Sequence, residues 1–442
     1  MIPFLSVIVA LLLLVASGEG LLLLLRIRSL EGQTLDRLIA AFTAGTAVIA
    51  TWSFLLAGAG VPASPPLLAA PVALYIAGRL RNRGGEGPYL VLPRRPVRDF
   101  LGAVTGIVVL AQIVYVFRHA LIRPVHGWDA WRIWSFRAKV IFLEKGFPDE
   151  FFSHDWAGFP GYPLGIPLLE SYLAHFVGYW HEPAVKILFP LFFTGLAALV
   201  WRFLREHSGF TVARLGVLLF VTSPFAVHHG TVAYMDLPLA FFLMATAFFL
   251  MAYHRGGRRG DLLLAAIAAG MMPIVKNEGF PFYLICTVWV VLDSRRRRDL
   301  RPALVRWFAI SLPVCLPWLL FKYTGGVPES PYHVVGFFGV GEILRRLSSF
   351  LRLALINAFL TGSWGIAWYP LVLLPLRLGR PVPRLPLALL LGGGFLFAGA
   401  YLFTDSYTFL VNGTALSRNL LVLLPLAIVS GMMRLGDERR AP

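Results

Sequence analysis

HGWDAWRIWSFRAK, residues 126–139, follows a hydrophobic run and is far too charged to sit in lipid. From Trp128 to Lys139 it holds one carboxylate (Asp129), three cations (Arg132, Arg137, Lys139) and three tryptophans (Trp128, Trp131, Trp134). If it forms a short helix, the i, i+3, i+6 spacing gathers the tryptophans on one face. Asp129 and Arg132 then stand beside that stripe, about 60° apart. Two readings compete: an aromatic belt where a membrane span surfaces, or a polar site built at that surface. The rest of the chain decides between them.

Hydrophobic residues make up 57% of the 442, charged residues 14%, and the mean hydropathy is +0.71. Repeated apolar runs of about 20 residues define an all-α polytopic membrane protein and exclude a soluble domain. Thirteen apolar segments are predicted, near 2–25, 36–59, 64–80, 99–121, 184–203, 211–230, 232–254, 261–275, 280–293, 303–323, 353–377, 385–404 and 419–433. The expected architecture is thus a bundle of about 13 transmembrane helices. The first segment lacks a basic leader and a small-residue cleavage site, so it reads as a retained helix. Cys286 and Cys315 fall in apolar runs, with no spacing that suggests a disulfide or metal framework.

A formal charge of +17 is common in nucleic-acid binders, but its distribution here points elsewhere. Alternate loops carry 27 of the 40 Lys and Arg, among them Arg79 and Arg81, Arg202 and Arg205, Arg295–Arg298, and Arg434 with Arg439 and Arg440. The positive-inside rule puts these loops and the C-terminus in the cytoplasm of a bacterial-type plasma membrane. Residues 122–183 and 324–352 become the long outer loops. The opening stretch then faces out, and no nucleic acid partner is expected. Residues 1–98 read as three spans and a basic loop preceding a core of 99–442.

On that outer side several short motifs carry chemistry. Asp129, just past a span and beside cations, is the leading candidate for a general base. Asp236 stands at the mouth of a span in TVAYMDLPLAFF, where it caps the helix or lines the same cavity. Lys276, Asn277 and Glu278 form a tight turn. Arg418 begins the last span, on the side where arginine is disfavoured, which calls for a phosphate or carboxylate partner. GYPLGIPLLESYLAHFVG (161–178) reads as a re-entrant or interfacial helix opened by prolines. In 341–354, charged and apolar residues fall on opposite faces, which suits a helix lying in the interface. Glu19, in a Gly-Glu-Gly step of the first span, is an intramembrane carboxylate and either functional or the end of a short span. No HExxH-type spacing occurs, although His154-Asp155 or His228-His229 can touch a metal.

The order of these features resembles the GT-C glycosyltransferases: an outward Asp after a span, a Tyr-Pro-Leu helix, an Asp-Leu-Pro span start, a Lys-Asn-Glu-Gly turn, and an Arg before a final LLVLLPL helix. The likeness covers about 99–434 and is strongest to the bacterial branch with protein O-mannosyltransferases and the lipid A aminoarabinose transferase. It implies a GT-C-like bundle with interfacial helices, and inverting transfer of a monosaccharide from a polyprenyl-phosphate donor to a lipid, glycan or protein hydroxyl. Asp129 and Asp236 take the family's acidic positions. Lys276 and Arg418 are its phosphate-binding candidates, and Trp128, Trp131 and Tyr162 offer sugar-stacking rings. Members differ in metal dependence, so a divalent ion such as Mg or Mn stays open. Two departures stand out. The usual Asp-Glu is Asp129-Ala130 here, and Lys-Pro-Pro-Leu reads Gly161-Tyr162-Pro163-Leu164. The missing lysine leaves Arg132, Arg137 or Lys139 to replace it. Alternatives are a lipid-linked saccharide transporter, which needs polar residues at the midplane, and an O-antigen ligase or polymerase, which would not need Asp129.

Overall fold

The computed structural model describes residues 2–27, 34–82, 99–153, 159–328, 335–336, 338–376 and 382–436. Its longer helices are α1 (Ile2–Leu24), α2 (Thr34–Gly58), α3 (Ala73–Arg81), α4 (Phe100–Ile122), α5 (Ser135–Glu144), α6 (Gly165–Val177), α7 (Leu188–Ser208), α8 (Phe210–Val221), α9 (Asp236–Gly256) and α10 (Arg259–Val275). They continue with α11 (Gly279–Arg297), α12 (Leu300–Thr324), α13 (Val340–Leu360), α14 (Arg384–Phe403) and α15 (Leu416–Met432). Helices dominate because a chain in lipid must satisfy its backbone polar groups within each segment. Among the described residues, eight helices are long and apolar enough to cross a membrane by themselves, a count that does not confirm the expected thirteen. The expected span 64–80 is a short helix, a 3-10 turn and α3. The expected span 211–230 breaks at Ser223-Pro224 into α8 and a short helix, Pro224–His229.

The first helices pack backbone to backbone. A Cβ on Gly18 would lie 2.0 Å from the Ala41 carbonyl oxygen, and one on Gly45 2.2 Å from that of Leu14, so only glycine permits this crossing. Glu19, beside that contact, accepts from Arg37 Nε at 3.0 Å. It is the acidic half of an ion pair between α1 and α2. These helices also join the rest of the bundle, for Tyr172 of α6 donates to the Ala10 carbonyl at 2.8 Å.

The two ends of the bundle differ in chemistry. At one, arginines of the basic loops pair with carboxylates: Arg202 with Asp36 at 2.5 Å, Arg255 with Glu206 at 2.5 Å, and Arg214 with Asp99 at 2.8 Å. Helix α9 runs from Asp236 to this basic end, α15 runs to it from Arg418, and α10 runs away from it to Lys276. Asp236, Lys276 and Arg418 therefore share the opposite end, called here the site end.

The expected span 353–377 takes an unexpected form. Helix α13 lies across the site end, because Arg346 donates to the Thr404 carbonyl at 3.0 Å and Asn357 to Ser417 Oγ at 2.8 Å. The amphipathic helix is thus longer than the 341–354 read from sequence. Residues 364–376 then wind in repeated i→i−3 bonds. Gly365, Pro370 and Pro375 prevent a regular α-helix there. Ser363 accepts from Phe225 N near the site end, and Leu374 accepts from Arg434 at the basic end. At a 3-10 rise of about 2.0 Å per residue, these residues cover roughly 22 Å. The crossing exists, but as a tightly wound ribbon.

Candidate active site

Asp129 is placed by a short turn and an irregular helix. Glu182 accepts from Val125 N at 2.8 Å, and Lys186 donates to the Pro124 carbonyl at 2.9 Å, fixing the turn after α4. Gly127 then adopts φ +88°, a left-handed conformation that favours glycine. A Cβ there would also meet the Tyr234 hydroxyl at 2.9 Å. Gly127→Ala is therefore expected to cost about 1–2 kcal/mol through backbone strain alone, and to lower activity further by displacing Asp129. A melting curve beside a transfer assay checks both.

Helix 128–144 carries a π-turn at Ala130–Trp134, in which Ser135 N bonds the Ala130 carbonyl. Such turns are rare and concentrate at functional sites. This one breaks the tryptophan stripe expected from sequence. Trp128 and Trp131 remain 59% and 64% exposed, whereas Trp134 is fully buried and stacks on Tyr162 with centroids 5.2 Å apart. Ser135 anchors the segment by donating to Glu170 of α6 at 2.8 Å.

Four residues from distant parts of the chain meet in front of this turn. Arg418 reaches Asp129 Oδ2 with Nη1 at 2.5 Å and Asp236 Oδ2 with Nε at 2.9 Å. Lys276 Nζ holds the other oxygen of Asp236 at 2.9 Å and Glu278 Oε1 at 2.9 Å. The Arg418 guanidinium lies over the Tyr234 ring, 4.9 Å from its centroid. Asp236 makes no capping bond to its own helix. It is completely buried, with both oxygens engaged by cations, while Asp129 retains 19% side-chain exposure. Burial opposes the charge on Lys276, yet Asp236 and Glu278 outweigh it and hold the ammonium above the usual lysine range.

His229 adds a neutral wall. Its Nε2 stands 3.9 Å from Asp236, and its Nδ1 faces the Phe225 carbonyl at 3.1 Å. Burial pushes the ring down to about 3, against some pull from Asp236, so this approach is no ion pair. The sign of the consequence is fixed. Above pH 6.5 both folded and unfolded states are neutral here. As pH falls through 6.5 the unfolded chain binds the proton first, and stability drops by up to about 1.4 kcal/mol per pH unit until the folded pKa near 3. Melting of His229→Phe between pH 7 and 4 is expected to show a shallower loss than the parent.

The other candidates lie apart from this cluster. Arg137 is fully buried, donating to the Tyr162 carbonyl at 2.7 Å and the Pro160 carbonyl at 3.3 Å beneath Phe151. It clamps the loop before α6 and presents no cation to a phosphate. Tyr162 is engaged by two stacking neighbours, Trp134 and Phe159, rather than open to a sugar. Arg132 and Lys139 are exposed and have no ion pair among the described residues. His154 and Asp155 lie outside the described residues. Among those described, no group of three or more potential ligands forms a metal site. The carboxylates of the cluster face an ammonium and a guanidinium instead. Sequence reasoning missed Tyr234 beneath Arg418 and Lys322, whose Nζ donates to Asn277 Oδ1 at 3.4 Å.

With this geometry in place, comparison with known proteins identifies the fold and a partial family match. The chain has the GT-C glycosyltransferase fold and resembles the aminoarabinose transferase and protein O-mannosyltransferase branch. Residues 163–321 match the family described as dolichyl-phosphate-mannose-protein mannosyltransferase. That segment contains Asp236 and Lys276 and leaves Asp129 and Arg418 outside. Among solved structures the chain is similar to ArnT from Cupriavidus metallidurans bound to undecaprenyl phosphate, with a TM-score of 0.54, and to the same protein in the apo state, at 0.50. In each case identity is 18% over 76% of this chain, which spans 60% of the solved chain. No curated protein matches the sequence significantly.

Proposed function

We propose that the protein transfers a monosaccharide, with inversion, from a polyprenyl-phosphate donor to an acceptor hydroxyl at the outer face of a bacterial-type plasma membrane. The observation that carries this reading is Arg418, which ties the accessible carboxylate Asp129 to the buried Asp236–Lys276 pair. Arg418 occupies Oδ2 of Asp129, and among the described residues no hydrogen bond occupies Oδ1. Oδ1 accepts the proton of the acceptor hydroxyl as its oxygen attacks the anomeric carbon. The anomeric C–O bond breaks in the same displacement, so configuration inverts and polyprenyl phosphate leaves. Cations beside the leaving oxygen stabilise its developing charge in a water-poor pocket. Asp236, closed off from any acceptor, positions the two cations. Trp128 and Trp131, exposed on the turns flanking Asp129, offer rings to an acceptor sugar or the membrane surface.

The segregation of charge supports the sidedness. Arg202, Arg214 and Arg255 of the arginine-rich loops share one end, and the cluster lies at the other, which the positive-inside rule turns outward. The acceptor is a lipid, glycan or protein hydroxyl. Gentle extraction followed by mass spectrometry, with labelled polyprenyl-phosphate sugar supplied in parallel, tests the donor class. A phosphoprenyl lipid should co-purify and label should move from it. Absence of both results contradicts the proposal.

A further inference from the structure

Glu170 is an acid in an apolar place. It lies in the middle of α6, which is not among the eight helices long and apolar enough to cross a membrane, and it is completely buried. Its Oε1 accepts from Ser135 Oγ at 2.8 Å, and its Oε2 has no partner among the described residues. A carboxylate sealed from water with one neutral donor is costly, and such a group keeps its proton instead. Burial accordingly pushes Glu170 up to about 8, against a weaker pull from Ser135 and Lys186.

The elements packed against α6 supply almost no charge. The charged residues of α1, α2 and α10 (Glu19, Asp36, Arg37, Arg259, Asp261) lie toward the basic end, and the short helix Pro65–Ala69 has none. On α5, Arg137 is spent on backbone carbonyls, while Lys139 and Glu144 are exposed. His175, further along α6, bonds the Ser171 carbonyl, and Glu182 bonds Val125 N. That leaves Lys186. It is fully buried, donates to the Pro124 carbonyl at 2.9 Å, and makes no salt bridge to Glu170.

These two buried groups bracket Asp129 along the chain. Lys186 holds the backbone at Pro124 before it, and Glu170 holds Ser135 after it. Ser135 also closes the π-turn, its N bonding the Ala130 carbonyl, so the Glu170 bond fixes the residue that sets the register of the turn. We propose that Glu170 is a positioning residue for Asp129: as a neutral acid it fixes the π-turn through Ser135 and leaves Lys186 to the Pro124 carbonyl. This rests on the reading of Asp129 as the general base. Once ionised, Glu170 draws the Lys186 ammonium away from Pro124, because an unpaired buried charge takes the nearest counter-charge. The turn before Asp129 then loses its anchor, and turnover falls. Lys276, held above the usual lysine range, gives no competing loss at mildly alkaline pH.

The test follows transfer from labelled polyprenyl-phosphate sugar in membranes holding the full-length protein, with infrared spectra and melting curves of the purified protein over the same pH range. The parent's kcat should fall about tenfold between about pH 7 and pH 9 as one proton leaves near 8, with KM level. Glu170→Gln keeps an acceptor for Ser135 and has no proton to lose. It should be about threefold slower at neutral pH, because its amide N–H₂ lacks an acceptor, and the alkaline fall should vanish. Ser135→Ala, which a helix tolerates, should lower kcat about tenfold with KM level. It should also move the alkaline fall to higher pH, since the hydroxyl that favours the carboxylate is gone. Over the same range the parent should lose the infrared carbonyl stretch of one protonated carboxylic acid, and Glu170→Gln should not. Three outcomes overturn the proposal and leave the reaction standing: an unaltered alkaline fall in Glu170→Gln, no infrared loss in the parent, or parental kcat in Ser135→Ala. A parent that moves no label contradicts the proposed reaction and the positioning role with it.

Discussion

Replacing Arg418 by methionine is expected to lower transfer by about 10³-fold and to destabilise the protein by about 3–5 kcal/mol, the range for removing one partner of a buried ion pair. Arg418 alone among the described residues touches both Asp129 and Asp236. Without it, Asp236 Oδ2 is left fully buried with no cation, and Asp129 loses the bond that fixes its orientation. Methionine keeps a flexible apolar stem of similar length and removes the guanidinium together with its contact to the Tyr234 ring. Lysine should rescue poorly, since a single ammonium cannot reproduce the fork that reaches two carboxylates. Melting curves and transfer from labelled donor check both halves. Transfer within tenfold of the parent by Arg418→Met would contradict this role.

Asp236→Asn is the second large effect, and its pattern matters more than its size. An amide keeps the shape but turns an N–H₂ toward one of two cations that each need an acceptor. A loss of about 3 kcal/mol in stability is expected from the uncompensated buried charge. The turnover number should fall about 10²-fold as Lys276 and Arg418 drift from register. The cluster's charge, however, rises from one net negative to zero, so KM for the anionic donor should stay level or decrease. A fall in kcat without a rise in KM marks a positioning residue. A rise in KM alone would instead mean that Asp236 contacts the substrate.

The site was legible in the sequence to the extent that single residues broke a pattern. Arg418 begins a span on the side that lacks basic loops, and Asp236 opens an otherwise apolar helix. Both anomalies proved to be two halves of one ion pair, 2.9 Å apart. The alternation of arginine-rich loops likewise separated the two ends, because the energetic cost of moving charge across lipid is written into composition. The geometry between residues was not legible. The π-turn at Ala130–Trp134 depends on burying Trp134 against Tyr162, a contact made across 28 residues by tertiary packing. Arg137 looked like a surface cation because charge pattern carries no information about the carbonyls it meets. The crossing at 364–376 kept the hydropathy of a span, yet its glycine and prolines changed the winding.

Asp129→Asn tests the central claim most directly. The substitution is nearly isosteric, removes the proton acceptor, and leaves an oxygen able to accept from Arg418 Nη1. In membranes supplied with labelled polyprenyl-phosphate sugar, transfer is expected to fall by about 10²–10⁴-fold, the contribution of a positioned base. Donor binding and the melting temperature should remain close to those of the parent. Unimpaired transfer by a normally folded Asp129→Asn protein would contradict the account.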